Sequence, residues 1–211
     1  MIAYRCQSSG GQKDFSASYT VTTVHDNAET KWPSSCAYMF FNNTSFNEPV
    51  EIGNNVISCA YMLSRCSNYN HDLYIPDSVV DSSGILSGCT SFAKNIKLSN
   101  NTNRLLHALS GTKFNQDITI PESVMDCYSL LGNDVSFGKN IYFKGNTYRN
   151  IRISSMLEGT NNSKRKNIFF NQALNNKFNG SSWLDNLSWV PMTNGFYDAN
   201  YNIYCYYNYA G

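Results

Sequence analysis

Seven cysteines and three histidines are the residues of this 211-residue chain that could ligate a metal, form disulfides or serve as nucleophile and base. Zinc sites draw on close pairs such as Cys-x2-Cys, and no such pair is present. Cys36, Cys59 and Cys127 instead fall at one position of a recurring segment, and Cys66 and Cys89 at another. Three chemistries stay open for such columns. The thiols could pack as small hydrophobes, or join neighbouring segments as disulfides, which parallel stacking at about 4.8 Å permits, or hold a metal. His25, His71 and His107 fall in different columns with no paired Asp or Glu, and Cys66 and His71 lie on opposite sides of one turn. A Ser/His/Asp or Cys/His set would need all of these brought together. HExxH, a glycine-rich phosphate loop and a paired-carboxylate signature are all missing. The expectation is a non-enzymatic protein without cofactor or metal.

Composition narrows the partners. Charged residues make up 15% of the chain and the formal net charge is +1. Asn, Ser, Thr and 15 tyrosines must therefore supply the polar surface. Nucleic-acid binding rests on phosphate neutralisation by a basic patch. The nearest candidate, "NSKRK" at Asn162–Lys166, reads as a solvated turn. No window of about 18 apolar residues offers a membrane span. The start, "MIAYRCQSSGGQKDF", has no apolar leader core, which predicts synthesis in a reducing cytoplasm. Asn-x-Ser/Thr at Asn42, Asn43, Asn100, Asn161, Asn179 and Asn186 follows from the Asn-rich composition.

The cysteine columns belong to a longer repeat. "SCAYM" recurs at Ser35 and Ser58, and aligning on it gives segments 36–58, 59–81, 82–104, 105–126 and 127–149, with a degenerate sixth after a small insertion. Each carries an aromatic residue followed by two apolar residues one apart: Phe46-Val50-Ile52, Tyr69-Leu73-Ile75, Phe92-Ile96-Leu98, Phe114-Ile118-Ile120 and Phe137-Ile141-Phe143. The sixth keeps Ile168 and Phe170 with Lys164 in the aromatic position, and Phe15-Tyr19-Val21 is a weaker forerunner. The apolar-x-apolar pairs predict short strands with one buried face. Pro76 and Pro121 end two of them. Ser78 and Ser123 stand where they could cap a helical turn, and the next apolar residues have roughly helical spacing. One segment cannot bury its own apolar face, so several must stack.

The expected architecture is a β-dominated repeat solenoid, leucine-rich-repeat-like, with a single-layer parallel sheet, one strand per segment and short helical turns. Residues 1–35 would form an N-terminal cap or degenerate unit, 36–170 the solenoid, and 171–211 an aromatic-rich cap or docking segment. Two groups of residues are candidates for binding. The outward strand residues Glu51, Tyr74, Lys97, Thr119, Tyr142 and Phe169 would line one sheet face, where aromatics suit protein or sugar contact. Trp183, Trp189, Tyr197, Tyr201, Tyr204, Tyr206 and Tyr207 would either cap the open end or dock a partner, since Tyr and Trp concentrate at interfaces.

The strings "ITIPESVMDCYSLL" and "SGCTSF" resemble the BspA-like class of leucine-rich repeats, over roughly residues 36–145. Gly53 and Ser99 depart from it by replacing the proline. The resemblance implies a right-handed leucine-rich solenoid used for adhesion or scaffolding, with no catalytic residues to carry over. Related forms occur in bacteriophage tail or fibre proteins and in bacterial surface proteins. The expected function is therefore a bacteriophage virion structural protein that presents its surface for assembly with virion proteins or sister copies, or for host attachment. The alternative is a bacterial cell-surface adhesin that binds host protein or glycan.

Overall fold

The computed structural model describes residues 34–145, 151–171 and 190–207. Most of the expected cap at 1–35 therefore lies outside the described residues. The segments do stack in register. Ser35, Ser58, Asp81, Arg104, Asp126 and Arg152 form a file of parallel bridges from one segment to the next.

The part of each segment that follows this bridge is not helical. In residues 36–43 the amide groups alternate. Cys36, Tyr38, Phe40 and Asn42 donate to the carbonyls of Ser58, Ala60, Met62 and Ser64 in the next segment, at 2.8–3.0 Å. Met39, Phe41 and Asn43 donate back to Cys36, Tyr38 and Phe40, three residues earlier. The same four rungs recur at every junction down to Asn133, whose N–H donates to Glu158. Each segment carries two left-handed residues four apart: Tyr38 and Asn42, Tyr61 and Arg65, Gly84 and Gly88, His107 and Gly111, Ser129 and Asn133, Ser155 and Gly159. A positive φ at the third residue is what a type II turn requires, and it interrupts the run of negative φ that a helix needs. The described residues contain no helix, so the expected helical turns are corrected to chains of tight turns. Ser78 and Ser123 accordingly cap nothing. The Ser78 hydroxyl is buried without a partner, and Ser123 donates to the Asn100 and Thr102 carbonyls.

The strand side also departs from expectation. β1 (Leu73–Tyr74) and β2 (Ile96–Lys97) form a separate two-stranded parallel sheet. The second sheet has six strands: β3 (Ile118–Ile120), β4 (Asn140–Phe143), β5 (Lys166–Phe169), β6 (Val190–Met192), β7 (Gly195–Asp198) and β8 (Ile203–Tyr206). Its order is β3-β4-β5-β8-β7-β6. β3, β4, β5 and β8 run parallel, whereas β7 and β6 are antiparallel additions. Residues 50–52 form no strand. The single-layer parallel leucine-rich-repeat solenoid is thus overturned by the mixed, divided sheet and the lack of helices. The division falls where segment 105–126 is one residue short. There Lys113 N–H donates to Phe92 O at 2.9 Å, and the Gln116 side chain reaches Ala93 O at 3.5 Å, in place of a strand ladder.

Between turns and strands lies one core cluster. Its axis is the aromatic column. Phe46, Tyr69, Phe92, Phe114 and Phe137 stack with centroids 6.1–6.3 Å apart and planes within 10°. Each such ring removes about 150–250 Å² from water, on the order of 4–6 kcal/mol before conformational entropy is charged against it. The column stops after Phe137 because Lys164 holds the next position and turns its Nζ to the Ser136 carbonyl, 2.6 Å away.

Two outcomes test this packing. The Tyr69 hydroxyl is buried without a partner of good geometry; burial pushes its pKa well up, with a smaller opposing effect from the Val50 backbone. Tyr69→Phe should therefore leave the Tm unchanged or raise it; a loss above about 1 kcal/mol in urea denaturation would show that the hydroxyl has a partner. Gly84 and Gly88 both have positive φ, but a Cβ on Gly84 would meet the Tyr61 ring at 2.3 Å, while one on Gly88 would meet nothing closer than 3.4 Å. Gly84→Ala should cost more than the roughly 1 kcal/mol of left-handed strain expected for Gly88→Ala. Equal costs would remove the role given to the Tyr61 ring.

Candidate functional site

Alternation along a strand sends every second side chain to the same face, so the inward pairs of the core leave one residue outward per strand. Glu51, Lys97 and Thr119 are exposed, and Tyr74 is 53% exposed. The Lys97 ammonium sits 4.8 Å from the centre of the Tyr74 ring. Tyr142 and Phe169 are half-buried and stack at 4.9 Å. Glu51 stands apart from the strand row, since its segment forms no strand. The gap between β2 and β3 separates Tyr74 and Lys97 from the rest.

The larger row continues beyond Phe169 into the C-terminal segment. β5 pairs with β8, which places Tyr206 opposite Phe169, and their rings stack at 5.0 Å. Two residues back along the same strands runs a second row on this face: Asp117, Asn140, Asn167, Tyr204 and Tyr197. Here the Asn140 amide donates to Asp117, and the Asn167 amide to Asn140 at 2.9 Å. Tyr204 stacks on Tyr197 at 5.4 Å. Arg165 lies over the Tyr204 ring at 3.9 Å, and it donates to Asn167 and to the Tyr206 hydroxyl.

The C-terminal candidates therefore divide. Tyr197, Tyr204 and Tyr206 join the sheet face, whereas Tyr201 and Tyr207 pack against the core. Trp183 and Trp189 lie outside the described residues. Sequence reasoning passed over Asp117, Asn140, Asn167 and Arg165. The signal for three of them was available, because Asp72, Asn95, Asp117, Asn140 and Asn167 each stand two residues before an outward strand residue.

The expected solvated turn at Asn162–Lys166 holds at Asn162, Ser163 and Arg165, which are exposed, but not at its last residue. Lys166 is fully buried, not solvated. Its Nζ donates to three carbonyls, those of Asn161 (2.7 Å), Lys164 (2.9 Å) and Tyr201 (3.1 Å), which uses all three ammonium protons. Burial, helped by the Lys164 charge, pulls its pKa down to about 8. This cation ties the last turn segment to the C-terminal hairpin.

The six described cysteines are buried, and Cys59, Cys66, Cys89, Cys127 and Cys205 are in no disulfide. Burial pushes the Cys59 and Cys66 thiols up to about 12, and those of Cys89, Cys127 and Cys205 upward as well. A thiol so raised is a poor nucleophile and a poor metal ligand. Cys66 and Cys89 instead donate to the carbonyls of Phe40 and Leu63, each at 3.0 Å. His71 Nε2 meets the Asn47 carbonyl at 2.9 Å, and His107 packs edge-on to Tyr128 at 5.3 Å. Among the described residues no group of three His, Cys, Asp or Glu could hold a metal ion, and no helix is long and apolar enough to cross a membrane.

Comparison with known proteins gives one family match. A family described as "Mycoplasma protein of unknown function, DUF285" matches residues 13–119, just over half of the chain. No curated protein and no solved structure matches.

Removing the Lys166 ammonium should loosen the hairpin. Lys166→Met takes the ammonium from three carbonyls, of which that of Asn161 keeps the Lys164 N–H, and should cost about 1–3 kcal/mol in chemical denaturation. A Met variant as stable as the parent would mean that water serves those carbonyls equally well.

Proposed function

This chain belongs to the DUF285 family, and from that premise we propose that it is a non-enzymatic structural protein of a bacteriophage particle, using its outer sheet face for protein assembly or host attachment. The observation that carries this reading is the in-register row Tyr142–Phe169–Tyr206 beside Asn140–Asn167–Tyr204–Tyr197. Such a row gives a rigid surface at low conformational cost, because rings with two torsions are already locked by their neighbours. The resemblance of residues 36–145 to BspA-like repeats, with adhesion or scaffolding as the implied role, supports it.

The geometry also bears on the class of partner. Sugars stack on exposed ring faces, but here the faces are largely engaged. Phe169 has a ring on each side, and Tyr204 lies between Arg165 and Tyr197. Rings in such a ladder offer edges and hydroxyls, which suit the mixed polar and apolar contacts of a protein surface. A protein partner is therefore the favoured ligand. The second reading, a bacterial cell-surface adhesin, is favoured by the family description, which names a bacterial genus.

Two measurements test the proposal. Immunoblots of gradient-purified phage particles and of intact bacteria should find the chain in the particle fraction; its presence only at the bacterial surface would support the adhesin instead. Partner capture, with particle proteins and a glycan array as parallel probes, should yield a protein. Tyr204→Ala and Tyr206→Ala should weaken that binding about tenfold or more, as interface aromatics do, with the fold retained by circular dichroism. Glycan binding alone, lost in the same variants, would overturn the preference for a protein.

A further inference from the structure

One carboxyl group lies apart from the sheet face, inside the stack. Asp134 is fully buried and occupies the same repeat position as Cys66, Cys89, Thr112 and Thr160. Each of those four donates a proton to a nearby carbonyl. Cys66 and Cys89 reach Phe40 and Leu63, Thr112 reaches Leu109 at 3.0 Å, and Thr160 reaches Leu157 at 2.8 Å. Asp134 Oδ1 accepts from Ser136 N–H at 2.9 Å, and its Oδ2 lies 2.8 Å from the Thr112 hydroxyl oxygen.

Proton counting decides which atom donates across that 2.8 Å contact. A threonine hydroxyl has one proton and two lone pairs. Phe114 N–H takes one lone pair of Thr112 Oγ1, at 3.2 Å. The single proton serves the Leu109 carbonyl, which receives no other hydrogen bond from the described residues. The hydroxyl stands as donor towards both the Leu109 carbonyl and Asp134 Oδ2; with its one proton on Leu109, what Thr112 has left is a lone pair, and the proton facing it comes from the carboxyl. We infer that Asp134 is held as a neutral carboxylic acid that donates through Thr112 to the Leu109 carbonyl, making the junction between segments 105–126 and 127–149 a proton-dependent contact.

The surroundings agree. Of the titratable groups on the packed segments, His107 and Lys113 lie on the Thr112 side, Glu158 beyond Asn133, and Lys164 has its Nζ taken by the Ser136 carbonyl. None of them forms an ion pair with Asp134; the two ion pairs of the described residues are Arg104–Asp81 and Arg152–Asp126. Burial pushes the carboxyl up to about 6; a Thr112 hydroxyl turned to donate to it, and the backbone N–H groups of Ser136, Phe114 and Phe137, would favour the charged form and act against that rise. Above that pH a carboxylate remains out of water without a cation, and the single Thr112 proton leaves either the Leu109 carbonyl or Asp134 Oδ2 without a donor.

The sign of the pH dependence follows. A carboxyl raised in the folded state binds its proton more tightly there than in the unfolded chain, so stability is greatest at low pH and falls as pH rises through the folded value. From pH 5 to 7 this single group should raise the unfolding constant about tenfold. The test uses the full chain and Asp134→Asn, whose amide donates to Thr112 and whose oxygen accepts from Ser136. Urea denaturation at pH 5 and pH 7 should show the wild type losing about tenfold more of its folding constant than the variant. Asp134→Thr, the residue used at this position in two other segments, serves as a second neutral form and should behave alike. The carboxyl carbon shift of Asp134, followed by NMR, should titrate near pH 6. A carboxyl already ionised at pH 5, or a wild type and both variants with the same pH slope, would overturn the inference.

Discussion

The direction of alternate backbone amides in the turn file is the constraint on which the remaining structure depends. Every second N–H leaves its own segment for the next, and those between fold back three residues. A backbone group buried without a partner costs about as much as a lost hydrogen bond, so once one junction adopts this pattern its neighbour is held to the same register. The aromatic column, the strand pairs and the outward rows all inherit that register. It also fixes which side chains are tolerated. Two left-handed residues per segment are needed to aim the amides, and Gly, Asn or Ser fill most of these sites. Tyr38 and Tyr61 are exceptions that stack on each other at 5.2 Å.

The repeat step, the aromatic column and the apolar strand pairs were legible in the sequence because each is a pattern of side-chain type, and packing acts on side chains. The helical turns were misread for a physical reason. Apolar residues spaced three and four apart fall on one side of a helix, and they also fall on one side of two successive tight turns. Hydrophobic spacing cannot separate the two. The file Asn42, Arg65, Gly88, Gly111, Asn133 and Gly159 could have done so, because Gly and Asn recurring at one position mark a left-handed site rather than a helix interior. Lys166 was misplaced because a lysine in a basic run ordinarily points to water. Only the return of the chain through Tyr201 supplies the third carbonyl that makes its burial tolerable.

The candidate face shows the same mixture. Tyr142 and Phe169 were readable as outward neighbours, but the strand that completes their row comes from beyond residue 190. Its parallel pairing with β5, followed by an antiparallel return, follows from no local signal. The result changes the chemistry of the face. A series of isolated aromatics would present ring faces, while a stacked ladder tied by Arg165 and the amide row presents edges at fixed positions. Rigidity gained in this way lowers the entropy lost on binding. Pro191 in the edge strand β6 supplies no N–H for a further ladder, which discourages pairing at that edge and leaves the face as the available contact.

The irregular points of the repeat coincide, and the coincidence has a cause. Segment 105–126 lacks one residue between its turn file and its aromatic, where its predecessor has Cys89-Thr90-Ser91. With the turn shortened, the Thr112 amide no longer bonds to the Leu109 carbonyl, as the Cys66 and Cys89 amides do to Leu63 and Leu86. The hydroxyl must serve that carbonyl instead, and it is then unable to donate to the next segment. A side chain that can itself supply a proton is the natural neighbour, and Asp134 is there. The same missing residue lies where the strand ladder breaks between β2 and β3. Shortening one segment thus divides the sheet on one side of the core and calls for a protonated acid on the other, while the turn file between them keeps all four of its rungs.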